Sequence, residues 1–240
     1  MNQLNKSHQI YTLLILLGVL LWTGACKKEY YKDSGTSDPH FKGTTMDYLN
    51  AVPYFFDSVA QVVKLAGWEK VFREDTLTFF APTNNSIKHL VVRLNGDLNY
   101  QSYDTIKKLS DIPATIWQRY LGYYMFHQRS ELKDFPQIDY NLLSIYPGQG
   151  YLSWNGAPMN IGVIYNDDNG VKYVGYRQLS ICYIPDIGRP MDNWNRADVA
   201  SCNILTNNGV VHVLSDAHYY FGFDYQAFLD DMIIVMKTGG

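Results

Sequence analysis

The chain has 240 residues with 20 basic and 23 acidic side chains, a formal charge of −3. At 47% hydrophobic and 15% aromatic it carries ample apolar area for a packed core, which excludes global disorder. Its Lys and Arg residues are scattered, which argues against nucleic acid as a partner, because phosphate binding needs a concentrated basic surface. Twenty Tyr residues fit β-structure and extracellular surfaces, where an apolar ring with a polar tip works half-buried.

Residues 1–25 hold one Lys, Lys6, and no acidic residue. The apolar run Tyr11 to Trp22 is short for the ~30 Å hydrocarbon layer of a bilayer. Small residues follow, Thr23, Gly24 and Ala25, and then Cys26. This order describes a secretory signal. Cys26 directly after Gly-Ala resembles a bacterial lipobox, in which that thiol is acylated; an ordinary signal peptide with a chance Cys is the alternative. Residues 26–45 are polar and read as a flexible tether between membrane and domain.

Further along, Phe56, Val59, Val63 and Ala66 fall at helical spacing, with Asp57 or Ser58 as cap and Gly67 as stop. Trp68 to Phe72 begins a short apolar turn. Leu77 to Ala81 is an apolar run of strand length, broken by Pro82. Thr83 and Asn84 can cap a helix carrying Ile87, Leu90, Val91 and Leu94 on one face, ending at Asn95-Gly96. Pro113 opens another helix, with Ile116, Tyr120, Tyr123 and Tyr124 on a stripe. From Tyr151 the pattern turns to strands, with hairpin signals at 154–156 and 166–170. Residues 185–198 read as a polar loop. Asn208-Gly209 reads as a positive-φ reversal feeding a strand. A short helix is predicted from Tyr225 to Lys237.

Cys182 and Cys202 lie in apolar, strand-like runs. They are a candidate disulfide in an oxidising compartment, with two buried thiols as the alternative. There is no CxxC, GxSxG, HExxH or phosphate-binding glycine loop, so no metal, no cofactor and no catalytic residue is predicted. His212 and His218 lack metal-ligand spacing, and His212 reads as a hydrogen-bonded core residue. Asp167-Asp168-Asn169-Gly170 lacks the alternation of a calcium loop and reads as a hairpin turn. Asp134, Asp230 and Asp231 read as solvated.

The segment Thr78-Phe79-Phe80-Ala81-Pro82-Thr83-Asn84-Asn85-Ser86-Ile87 resembles the first signature of fasciclin-like domains. Ile204 to Ser215, through Asn208-Gly209-Val210-Val211-His212, resembles the second. Leu65-Ala66-Gly67-Trp68 resembles the end of the family's first helix. The resemblance covers about residues 46–223, with surplus length around 95–113, 136–150 and 185–198. It implies an α+β fold, a β-sheet core of twisted sheets and hairpins with helices mainly from the N-terminal half; beyond it the apolar stretch after Phe223 is expected to form a C-terminal helical tail at 224–240. The motif residues Phe80, Ala81, Pro82, Thr83, Asn84, Asn208, Gly209 and His212 are expected to act structurally.

The family's Tyr-His phrase, implicated in adhesion in some animal members, aligns with Leu121 to Phe126. Tyr123 matches its Tyr, whereas Tyr124 stands where His is expected. The expected function is non-enzymatic: an outer-membrane lipoprotein, lipid-anchored and facing the cell surface or the periplasm, presenting the domain for adhesion or protein interaction. The alternative is a glycan-binding accessory lipoprotein using exposed aromatic residues. Tyr123, Tyr124 and Trp194 are the candidate contact residues, and an unidentified protein or surface glycan is the expected partner.

Overall fold

The computed structural model describes residues 38–189, 192–216 and 221–238. The signal segment 1–25, Cys26, most of the tether and His218 lie outside the described residues. The tether's last residues are fixed instead of loose: Leu205 N–H donates to Pro39 O at 2.8 Å, and Phe41 N–H donates to Leu205 O at 2.8 Å.

Helix α1 (Thr45–Ala51) starts in a capping box between Thr44 and Asp47. Arg73 of α3 (Glu69–Glu74) reaches Asp47 at 2.8 Å, joining the two helices. Helix α2 spans Pro53–Leu65 and starts before the expected caps. Pro53 supplies the first helical position, where its fixed φ suits the helix and its missing N–H costs nothing. The stop is as expected: Gly67 takes φ +72, and Trp68 N–H closes back on Val63 O at 3.0 Å.

Strand β1 (Leu77–Ala81) is buried at all five positions. Thr83 caps α4 (Asn84–Tyr100), its hydroxyl accepting from Ser86 N–H at 3.4 Å. The helix runs through Gly96 instead of ending there. Burial of Leu98, one turn beyond Leu94, outweighs the ~1 kcal/mol cost of an internal glycine. Asn95 then pins the exit by bonding Ile106 N–H at 2.7 Å and Ile106 O at 2.9 Å. Helix α5 (Ala114–Leu121) buries Ile116, Trp117, Tyr120 and Leu121, and a 3-10 turn (Gly122–Tyr124) leads to β2 (Met125–Phe126).

The remaining strands are β3 (Gln137–Ile138), β4 (Gln149–Leu152), β5 (Pro158–Tyr165), β6 (Arg177–Tyr183), β7 (Asn195–Leu205) and β8 (Gly209–Leu214). They form one curled sheet in the order β2-β1-β8-β7-β6-β5-β3, with β4 also on β5. β1 and β8 run parallel with Phe80 opposite His212; β3 and β5 are also parallel. The turn expected at 166–170 forms at its tip. Asp168 and Val171 exchange backbone hydrogen bonds around Asn169 (φ +48) and Gly170 (φ +79), the left-handed pair that a two-residue reversal needs. β7 reaches back into the expected polar loop, and its register shifts between Val199 and Ile204.

The C-terminal segment is part of the core instead of an appended tail. Helix α6 (Tyr225–Thr238) buries Phe228, Leu229 and Met232. Phe228 packs on Tyr120 at 4.7 Å and on Trp117 at 6.1 Å. Asp231, expected to be solvated, instead accepts from Arg119 at 2.8 Å and from the Tyr120 hydroxyl at 2.8 Å.

Candidate functional site

The two signature segments meet as a set of internal ties. Asn84 accepts from Ser58 N–H at 2.8 Å and donates to Pro53 O and Tyr54 O at 2.9 and 3.0 Å, locking α4 to the start of α2. The Thr83 hydroxyl donates to Asp216, and Asn85 donates to the other oxygen of that carboxylate at 2.9 Å. Phe80, Ala81 and Pro82 are buried. The reversal expected at Asn208-Gly209 forms, with Thr206 N–H donating to Gly209 O at 3.0 Å between the antiparallel strands β7 and β8, but neither Asn208 nor Gly209 takes a positive φ. Asn208 is also a junction. It accepts from Thr45 N–H at 2.8 Å and donates to Phe72 O and Asp75 O at 3.2 and 2.8 Å.

His212 is fully buried beside Phe80, ring centroids 5.0 Å apart. Its Nε2 lies 3.0 Å from Ser130 O, and its Nδ1 accepts from Asn203 N–H at 3.3 Å. Those partners set a neutral ring with the proton on Nε2. Burial pushes its pKa down to about 4, against the pull of Ser130 O. Asn203 sits in the irregular part of β7 at φ +61, which turns its N–H onto the ring.

The groups with room for a ligand lie elsewhere, at the far end of the sheet. A cleft of about 680 Å³ opens between the segment after β3 and the loop joining β5 to β6. Asp139, Tyr140, Tyr165, Asp167, Tyr173 and Arg196 are among its walls. The Tyr140 hydroxyl lies 2.6 Å from Ser180 Oγ and 3.2 Å from Cys182 Sγ. Burial pushes that phenol well above its usual range, so it remains protonated. Arg196 lies 4.1 Å over the Tyr140 ring and pairs with Asp198 at 2.6 Å. Trp194 meets Tyr140 edge-on at 6.3 Å, one residue removed from the cleft walls. The Tyr173 hydroxyl donates to Asp139 at 2.9 Å, which pushes it up to about 12.

The family model for the fasciclin domain matches residues 55–217, more than half of the chain. The chain belongs to the fasciclin domain family. It is similar to a solved FAS1 domain pair from the insect cell adhesion molecule Fasciclin I. That likeness has a TM-score of 0.47 and 11% identity, and covers 72% of this chain and 49% of the other. The chain thus spans about half the length of that solved chain. No curated protein matches it. The fasciclin domain architecture is consistent with a role in adhesion or protein interaction. Among the described residues no three His, Cys, Asp or Glu side chains are placed to hold a metal ion. No described helix is long and apolar enough to cross a membrane.

In this fasciclin domain the adhesion phrase is turned inward. Tyr123 is buried and stacks on Tyr183 at 5.0 Å and 9°. Tyr124 is buried, stacks on Phe223 at 4.8 Å, and accepts from Gly222 N–H at 2.7 Å. Neither ring is placed to meet a partner. His127, three residues on, lies outside the core and stacks on Trp154 at 3.7 Å.

The candidate disulfide is not formed. Cys182 faces Arg196 across β6 and β7, and Cys202 lies six residues further along β7, about 20 Å at strand rise. A bridge requires Cα atoms within about 7 Å. Burial pushes the Cys182 thiol up to about 11, so it is an unreactive core group. Tyr140, Tyr165 and Tyr173 escaped the sequence reading. Their only signal was the abundance of Tyr, since the 166–170 turn pointed to a hairpin and not to the ring beyond it.

Proposed function

We propose that this chain is a lipid-anchored interaction module of the bacterial outer membrane, held through Cys26 and presenting its fasciclin domain to a protein or surface partner. The observation that carries the reading is a fasciclin domain joined to a chain start in which Cys26 follows a short apolar run and small residues. A multiply acylated Cys anchors firmly, because each buried methylene contributes about 0.8 kcal/mol. Protease shaving of intact cells, beside a Cys26→Ser control, tests it. The expected result is rapid cleavage of the anchored protein and release or mislocalisation of the Cys26→Ser chain. Protection until the outer membrane is opened would place the domain in the periplasm and end the surface-adhesion reading. Unchanged membrane retention of Cys26→Ser would end the lipid anchor.

A second reading, glycan capture, is supported by Trp194 standing against Tyr140, one of the tyrosines that line the cleft. Exposed aromatic rings offer flat apolar faces with polar tips, which suits sugar rings. Trp194→Ala is expected to weaken retention on glycan supports, and unchanged retention would remove Trp194 from the site.

A further inference from the structure

We infer that the cleft beyond β3 and β5 is a saccharide-binding site and that Tyr173 is its stacking platform. The inference rests on the interaction-module reading and names the ligand class of its cleft. Tyr173 takes φ +63, a left-handed conformation that bulky side chains avoid. Backbone strain of this kind persists only where the surroundings over-determine it, and it gathers at ligand sites. Here both ends of the residue are tied: its N–H donates to Asp167 at 2.9 Å and its hydroxyl to Asp139 at 2.9 Å. Asp167 belongs to the β5–β6 loop and Asp139 to the segment after β3, so one ring spans both walls of the cleft. Tyr146 braces that ring edge-on at 5.7 Å.

The lining decides the ligand class. Of its two cations Arg196 is paired with Asp198, which leaves Lys172 alone against the carboxylates Asp139 and Asp167 of the walls. A phosphate or polyanion would meet those carboxylates without a matching basic cluster. An aliphatic ligand would bury polar wall groups without partners. The Tyr165 hydroxyl, the Asn141 side-chain amide and the Lys172 amine line the cleft and have no hydrogen-bond partner among the described residues. They provide donors and acceptors for vicinal hydroxyls, while the Tyr173 ring takes the C–H face of a pyranose. The volume of about 680 Å³ lies within the range of small-ligand sites.

The test is affinity electrophoresis of the full chain in gels containing soluble xylan, laminarin, mannan or pullulan, with calorimetry on chitotetraose. At least one saccharide is expected to bind. Tyr173→Ala is expected to weaken that binding about tenfold or more, and Tyr173→Phe, which keeps the ring, to stay within about threefold of wild type. Asn141→Ala removes an exposed side chain outside the core, so it guards against a folding artefact; it is expected to cost severalfold in affinity. Absence of binding to every probe, or wild-type binding by both Tyr173→Ala and Asn141→Ala, overturns the inference. Attachment of whole cells to protein-coated surfaces separates the two readings. Attachment that depends on the domain while every saccharide fails would leave the interaction module standing and remove the sugar.

Discussion

His212→Ala is expected to destabilise the domain by about 3–5 kcal/mol, measured by urea or thermal unfolding. The substitution leaves Ser130 O and Asn203 N–H without their partner in the interior, and each buried group left unmade costs about 1–3 kcal/mol. It also opens a void beside Phe80 and Phe135, which adds a cavity cost. The same ring ties stability to pH. Its pKa is about 4 in the folded chain against 6.5 for a free imidazole side chain. The unfolded chain therefore takes up the proton first as pH falls. The contribution of the ring is complete above about pH 6.5 and is lost as pH drops through 4, amounting to about 3 kcal/mol. Wild type should lose stability across that window, whereas His212→Ala should be flatter there. A wild-type melting temperature in the variant would refute the structural role of His212.

Gly209→Ala is expected to cost about 3 kcal/mol or more, for a different physical reason. Gly209 has no positive φ, so backbone strain is not the issue. A Cβ there would overlap the Leu77 carbonyl oxygen and come within 3.1 Å of Thr45 Oγ1. Leu77 is its partner in the parallel β1–β8 pairing, so the methyl group must push the two central strands apart. Overpacking against a rigid neighbour commonly costs 1–3 kcal/mol and sometimes more. Gly96→Ala is the matched control. Its Cβ meets nothing within 4 Å and it lies inside α4, so the change should stabilise by about 0.5–1 kcal/mol. Equal melting temperatures for the two variants would contradict this account of Gly209.

β1 was legible because an unbroken apolar run ends at Pro82 and a good cap, Thr83, follows it. The β5–β6 turn was legible because Asn169-Gly170 is favourable chemistry for positive φ. The passage of α4 through Gly96 was not, since a local stop signal of about 1 kcal/mol is overridden by burial that depends on partners distant in sequence. Asn208-Gly209 was legible as the reversal feeding β8, but the junction that the Asn208 side chain makes between α1 and the end of α3 was not, because its partners lie far away in the chain. The cleft was illegible because Asp139 and Tyr173 are 34 residues apart and are joined only through the parallel pairing of β3 with β5. Tyr123 and Tyr124 show the converse limit, since a matching phrase gives no information on whether its rings face water.

The parallel pairing of β1 with β8 also dictates when the domain can exist. Asn208 must reach Thr45 across 163 residues of chain, and β1 has β8 as its long partner. Nearly the whole domain must therefore be synthesised, and on the proposed route exported, before its central strands can join. Closing such long loops precedes any reward from the contacts they make, which slows folding. Until then the β8 edge of the apolar Leu77–Ala81 segment remains unpaired and prone to wrong association. On that proposed route, the late partner would keep the chain threadable through a translocation pore and would make a holding chaperone valuable on the far side.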